Sequence, residues 1–346
     1  MNRSIWAWVR VLGGVGILAV LLWRLGTGAF IDGLRVIDGP ALALAFTIGV
    51  ATTVLSAWRW CLVARGLGMT LSLRGAIADY YKALFINAAL PGGVLGDVDR
   101  AVQHGREEGD VGRSVRAVVL ERTAGQVVLL TVGVTVLLTV PSPVLSHLQA
   151  NARGLAVAAA TTVGLAALAI FAVGRLRSGA SRWARAARTG ITEVRSGLLA
   201  RRNWPGIVLA STIVLAGHLA TFLVAARAAG SDASLLRLAP LMLLALLAMA
   251  LPLNVGGWGP REGVAAWAFG AAGLSATQGL TIAVVYGLFA FVAALPGLVV
   301  IVTRALAGAR AKARIRAAAV VTVAAPVAAP PQKIVLPVRE LVSSGA

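Results

Sequence analysis

Between Gly263 and Thr303 the chain runs for 41 residues without one Asp, Glu, Lys or Arg. As a single α-helix that run would be about 62 Å long, twice the roughly 30 Å hydrocarbon layer of a membrane. It has to break, and Gly270, Gly273 and Ser275 mark the place. The break leaves a short piece, 261–274, and a full span, 278–303. Charged residues make up only 13% of the 346 residues, with a mean hydropathy of +0.85. A soluble domain carries about twice that density of charge. Too little polar surface remains to cover a water-soluble body, so the expectation is an all-α polytopic membrane protein.

Five further apolar stretches, 5–22, 40–60, 117–140, 154–174 and 205–226, read as crossings, giving about six full spans. Arg10 and Arg59 lie near the ends of the first two, where a long side chain can snorkel. The stretch Ile5–Leu22 reads as a retained first span rather than a signal peptide. Two pieces, 76–90 and 237–251, are too short or too polar to cross comfortably, and each ends at Leu-Pro. The net charge of +19 sits mainly in the gaps between spans, which is the cytoplasmic-loop bias of a membrane protein and not a nucleic-acid surface. A lone cysteine, Cys61, excludes an intrachain disulfide and a cysteine zinc site. His104, His147 and His218 show no ligand spacing, and no metal or cofactor is expected.

Charge also orients the chain. The loop from Gly174 to Trp204 carries eight Arg and one Glu, and Arg304, Arg310, Lys312, Arg314 and Arg316 follow the last span without an acid. Both should be cytoplasmic. No Lys or Arg lies between Pro141 and Asn151, so that loop should be external. Six crossings then place both termini in the cytoplasm, provided the short pieces add no net crossing. Two re-entrant hairpins, around 76–99 and 237–274, satisfy that parity, and so does pairing the short pieces into full crossings. The helical domain is expected over 1–305. The remainder, 306–346, is basic and then Ala- and Pro-rich, and it reads as a mostly disordered cytoplasmic tail from Ala317.

The two short pieces carry a repeated signature. The first ends in Leu90-Pro91-Gly92-Gly93-Val94-Leu95-Gly96-Asp97-Val98-Asp99-Arg100, and the second in Leu251-Pro252-Leu253-Asn254-Val255-Gly256-Gly257-Trp258-Gly259-Pro260-Arg261-Glu262. With the prolines superposed, Val94 meets Val255, Gly96 meets Gly257, and Arg100 meets Arg261, each arginine nine residues past its proline. The spans before the two motifs run in opposite directions, which makes an inverted repeat over roughly 40–140 and 205–304, linked through span 154–174. Secondary transporters use that arrangement, with binding near the midplane where helices are discontinuous. The plainer reading is that Pro-Gly-Gly is a common loop and the second arginine a coincidence.

Broken helices at membrane depth are tolerated only beside protein or a water-filled cavity, and the amides opening the next helix attract anions. Arg100 and Arg261 at those starts, with Gly92, Gly93, Gly96, Asn254, Gly256 and Gly257 shaping the backbone, suit an anionic head group. Asp97, Asp99 and Glu262 would hold the arginines in place. Glu121 and Arg122, about one turn inside an otherwise apolar span, read either as an ion pair with the Arg100 loop or as snorkelling interfacial residues. Asp79, Lys82 and Asn87 form a polar stripe on the first short piece, Asp79 and Lys82 sharing a face. His218 reads equally as a packing residue. Asp97-Val98-Asp99 also has the Asp-x-Asp form of a glycosyltransferase metal site, with nothing else to support it.

The run from Asn87 through Leu-Pro-Gly-Gly, Gly96-Asp97, Arg100 and Leu120-Glu121-Arg122, followed by the second motif up to Arg261-Glu262-Gly263, resembles the lysylphosphatidylglycerol synthase transmembrane-region family, also described as flippase-like. The resemblance spans roughly residues 5–305. Trp258 and Pro260 depart from the smaller or apolar residues that family often has there. In bifunctional members this region moves an aminoacylated phospholipid between leaflets while a separate soluble domain attaches the amino acid. The tail here is only some 30 residues, so the resemblance implies translocation or an unknown membrane role rather than aminoacyl transfer.

The leading expectation is therefore a flippase or translocase in the cytoplasmic membrane of a bacterium or archaeon. It would move an anionic (glyco)phospholipid or polyprenyl-phosphate type of lipid, with a separate lipid-modifying enzyme as a candidate partner. The alternative is a membrane-embedded glycosyl or head-group transferase using Asp97, Asp99 and Glu121 as its acids. A membrane assembly partner without transport is the third reading.

Overall fold

A computed structural model describes residues 28–90, 93–142, 145–146, 150, 182–250 and 258–324. The expected spans 5–22 and 154–174, the residues Pro91, Gly92, Pro252, Asn254, Gly256 and Gly257, and the tail beyond Ala324 lie outside them. Among the described residues the regular structure is helical, with no sheet.

The first half contains α1 (Gly28–Arg35), α2 (Gly39–Gly66), α3 (Leu73–Ala89), α4 (Leu95–Glu107) and α5 (Val111–Thr139). An amphipathic helix, α6 (Arg182–Gly197), precedes α7 (Trp204–Ala228), α8 (Leu235–Met249), α9 (Pro260–Ala271), α10 (Ala276–Ala294) and α11 (Pro296–Ala324). Among the described residues, four helices are long and apolar enough to cross a membrane: Gly39–Gly66, Val111–Thr139, Trp204–Ala228 and the α10–α11 run Ala276–Ala311. The short pieces are α3 and α8.

The uncharged 41-residue run breaks where expected. Helix α9 ends at Ala271, Gly273 takes a left-handed φ of 71°, and the Ser275 side chain caps α10 by accepting from the Gln278 amide at 3.2 Å. Asp38 caps α2 and Asp110 caps α5 in the same way, each accepting an amide at 2.8 Å. Two regions differ from expectation. The Arg-rich loop between Gly174 and Trp204 contains α6, whose Ile191 and Val194, with Leu198 one residue past its end, recur at helical spacing and give it an apolar face. Helix α11 also runs to Ala324, into the stretch expected to lack regular structure, because alanine is the best helix former.

The described residues up to Ile301 form one compact unit, and those from Val302 a second, helical through Ala324. In the first unit, α2 and α7 pack antiparallel: Gly206 lies against Leu62 and Trp58, and Gly217 against Thr52 and Ile48. Helix α5 packs on α2, α7 and α8, and α10 on α2, α3 and α7. The larger core lies among α7 to α10 and includes Phe222, Met242, Phe269 and Phe289; a smaller one gathers Trp60, Ala76, Tyr80, Ala101 and Val118. Among α2, α4 and α5 an array of charged side chains is buried.

Candidate functional site

Glu121 is at the centre of that array. It enters α5 ten residues after Val111, about 15 Å along the axis, and is completely buried. Its Oε1 accepts from Arg59 Nε at 3.0 Å and Nη2 at 2.5 Å, and from the Tyr80 hydroxyl at 3.2 Å. Its Oε2 accepts from Arg100 Nη2 at 2.8 Å. Arg59 also donates to Ser211 Oγ on α7 at 3.0 Å.

Arg59 thus corrects the snorkelling expectation. It lies seven residues before Gly66, about 10 Å from the end of α2, and is 4% exposed. Arg65, one residue from the helix end, is better placed to reach an interface. Sequence reasoning also missed Trp60 and Ser211. The available signal was Trp58-Arg59-Trp60 followed by apolar residues, which puts Arg59 nearly two turns deeper than Arg65.

Asp97 forms the second half of the array. Its Oδ1 accepts from Arg100 Nε at 2.9 Å and from Arg122 Nη2 at 2.8 Å. Its Oδ2 accepts from Asn87 Nδ2 at 3.2 Å, and Asn87 Oδ1 accepts the Gly96 amide at 2.7 Å. Asn87 on α3 therefore caps the opening turn of α4, an amide the sequence reading left for an anion. Gly96 is required there: a Cβ would lie 2.1 Å from the Ala83 carbonyl oxygen, so α3 and α4 touch backbone to backbone. Gly93 makes the turn before α4 with a φ of 60°.

Arg100 is not at the start of α4 but six residues into it, 1% exposed. Its guanidinium stacks between Trp60 and Tyr80, 4.6 Å from each ring centre. Its Nη1 is buried without a hydrogen-bond partner. The five charges Arg59, Arg100, Arg122, Asp97 and Glu121 leave one positive charge over. Arg122, at 40% side-chain exposure, is the accessible guanidinium. Leu90, Val94, Leu95 and Val98 are exposed around the break, so the polar cluster opens beside apolar surface.

Lys82 pairs with Asp99 at 2.7 Å and donates to Gln103 at 3.0 Å. Asp79 is buried on the same helix. The Asp-x-Asp pair is therefore divided between different cations: Asp97 serves Arg100 and Arg122, and Asp99 serves Lys82. Among the described residues no group of three or more His, Cys, Asp or Glu is placed to hold a metal ion.

At the second break the helix starts later. Arg261 is the second residue of α9, and Arg261 and Glu262 pair with each other through Nε at 2.9 Å and through Nη2. Glu262 Oε2 also accepts the Gly259 amide at 2.7 Å, so a carboxylate takes that helix-opening donor too. Gly259 adopts a φ of 112°. Arg261 lies between Trp258 and Tyr286, 5.3 and 5.1 Å from their ring centres. Each motif arginine thus pairs with a neighbouring carboxylate and sits between a tryptophan and a tyrosine. Trp258 supplies one of those rings.

Helix α7 touches both sites. Ser211 meets Arg59, and His218 Nδ1 hydrogen-bonds the Tyr286 hydroxyl at 3.0 Å. The two residues are seven apart, two turns on one face, so the arginine sites differ in level by about 10 Å.

A comparison with curated proteins and with solved structures finds no match. The profile of the lysylphosphatidylglycerol synthase transmembrane region matches residues 7–297, covering both breaks, both arginines and the whole buried array. The chain belongs to the lysylphosphatidylglycerol synthase transmembrane-region family.

Proposed function

We propose that this protein moves a lipid with an anionic head group between membrane leaflets, with the Arg59–Glu121–Arg100–Asp97–Arg122 array as its first station and Arg261–Glu262 as its second. The observation that carries the reading is the surplus cation of the array together with the unpartnered Arg100 Nη1. Buried ion pairs are weak contributors to stability, and charges at membrane depth persist chiefly where they serve a substrate or ion. A phosphate meets Arg122 at the exposed edge first, then takes the free Nη1 of Arg100. Asp97 and Glu121 keep the guanidinium planes aimed while the site is empty. The exposed apolar residues around the break suit acyl chains.

The long–short–break–short–long order of α2 to α5 recurs in α7 to α11, which supports an inverted repeat with six full spans and two re-entrant pieces. With the basic 174–204 segment and both termini cytoplasmic, the Glu121 array lies nearer the cytoplasm and Arg261 deeper, and α7 joins them. A head group handed from Ser211's level to His218's advances about 10 Å. Gly92, Asn254, Gly256 and Gly257 belong to the same reading as backbone around the two stations, and Asp79 and Lys82 as the inner wall of the first. A separate enzyme that builds the head group is the expected partner. The test is movement of labelled phosphatidylglycerol between leaflets of vesicles holding the purified protein: it should accelerate with the wild type and not with Arg100→Ala.

A further inference from the structure

A cavity of about 500 Å³ lies outside the charged array, between α5 and α6. Leu120 and Val194 line it, Val119 and Leu199 form exposed edges, and Arg116, Glu193 and Arg195 surround it. Arg116 and Glu193 pair at 2.7 Å, so Arg195, exposed, leaves the rim one positive charge in surplus. Helix α6 itself carries four Arg against one Glu, with its apolar face toward α5. A basic amphipathic helix of that kind lies in the membrane interface. The Gly197 end of α6 packs on Leu67, just past α2, and on Leu120, while Arg116 lies five residues, about 7 Å, nearer the start of α5 than Glu121. An apolar slot with a cationic rim beside it fits one kind of occupant.

We infer that the α5–α6 groove is a second lipid site, holding an acyl chain of an anionic phospholipid with its phosphate at Arg195 and Arg116. It stands independently of the transport reading, since it concerns binding at equilibrium.

Gly190 gives a clean test. It lines the groove, and a Cβ there meets nothing within 4 Å, so a larger side chain grows into open space. The full chain, delipidated in detergent, is titrated with dioleoyl phosphatidylglycerol or dioleoyl phosphatidylcholine, and bound lipids are counted by native mass spectrometry. Wild type and Gly190→Ala should each hold one more phosphatidylglycerol than Gly190→Phe. Arg195→Glu, at an exposed position, should weaken phosphatidylglycerol binding several-fold and leave phosphatidylcholine unchanged; it decides the matter alone if Gly190→Phe fails to fold. Equal phosphatidylglycerol counts in wild type and a folded Gly190→Phe overturn the site, as does indifference to Arg195→Glu. A wild-type dimer that Gly190→Phe dissociates overturns it too, assigning the groove to a second copy of the chain.

Discussion

Glu121 and Arg122 are consecutive residues of α5, and they hold one short helix by opposite charges. Glu121 accepts from Arg100 at 2.8 Å, while Arg122 donates to Asp97 at 2.8 Å, so two residues of α4, three apart, are gripped together. Consecutive helical residues point about 100° apart, so both can serve α4 only because it lies across the helix face between them. The break between α3 and α4 is fixed to the membrane-spanning part of the molecule through these four side chains.

The two residues should differ in their response to mutation. Removing one partner of a buried, hydrogen-bonded charge pair costs about 3–5 kcal/mol by stranding the other. Glu121→Ala leaves Arg59 without its carboxylate and Arg100 with Asp97 alone, and should sharply lower the melting temperature or the folded yield in detergent. Arg122 is 40% exposed, and Asp97 keeps Arg100 and Asn87 without it. Arg122→Ala should therefore melt close to wild type and lose lipid handling instead. Equal destabilisation by the two changes contradicts this division.

Lysine cannot replace Arg100. The guanidinium spans two carboxylates, Asp97 through Nε and Glu121 through Nη2, while its plane lies between Trp60 and Tyr80. A lysine ammonium supplies a point charge without the fork or the stacking plane. Arg100→Lys should lose most of the transport activity despite unchanged net charge, and Arg261→Lys should behave alike at the second site. Activity near wild type in both variants would remove the guanidinium geometry from the mechanism.

The α3–α4 crossing depends on Gly96. Its Cβ position lies 2.1 Å from a backbone oxygen that no rotamer change can move, and forcing extra volume into a packed site typically costs about 1–3 kcal/mol. Gly96→Ala should reduce thermal stability and displace Arg100. Gly39→Ala, where a Cβ meets nothing within 4 Å, is the matched control and should melt at or above wild type.

Topology can be read by cysteine labelling, because Cys61 is the chain's one cysteine and is buried. In a Cys61→Ser background, cysteines at Thr192 and at the carboxyl terminus should label from the cytoplasm, and one at Ser146 from outside. A carboxyl terminus labelled from outside contradicts the proposed parity and the inverted relation of the two halves.

Much of this arrangement was legible in the sequence, because the bilayer thickness limits helix length. The break after Gly270 follows from a run too long for one crossing, and the equal spacing of Arg100 and Arg261 from their prolines picked out the two arginines that lie between aromatic rings. The link from Glu121 and Arg122 to the Arg100 loop was one of two readings open in the sequence, and the structure selects it. Arg59 was hidden because an arginine near a span end is usually interfacial, and only the three-dimensional position of Glu121 shows otherwise. Helix α6 was hidden by its eight-arginine surroundings, which read as a loop when charge is counted without spacing. The different helical positions of Arg100 and Arg261 arise from where each helix resumes after its glycines, which sequence alignment on the prolines does not contain.

Leaflet-specific lipid movement tests the central claim most directly. Purified protein of known orientation is placed in vesicles with fluorescent phosphatidylglycerol in one leaflet, and its appearance in the other is timed with and without an imposed ion gradient. The account predicts acceleration by the wild type, with Arg100→Ala impaired most when label starts on the cytoplasmic side and Arg261→Ala most when it starts outside. Normal movement in both alanine variants, or no movement by the wild type under any gradient, contradicts it.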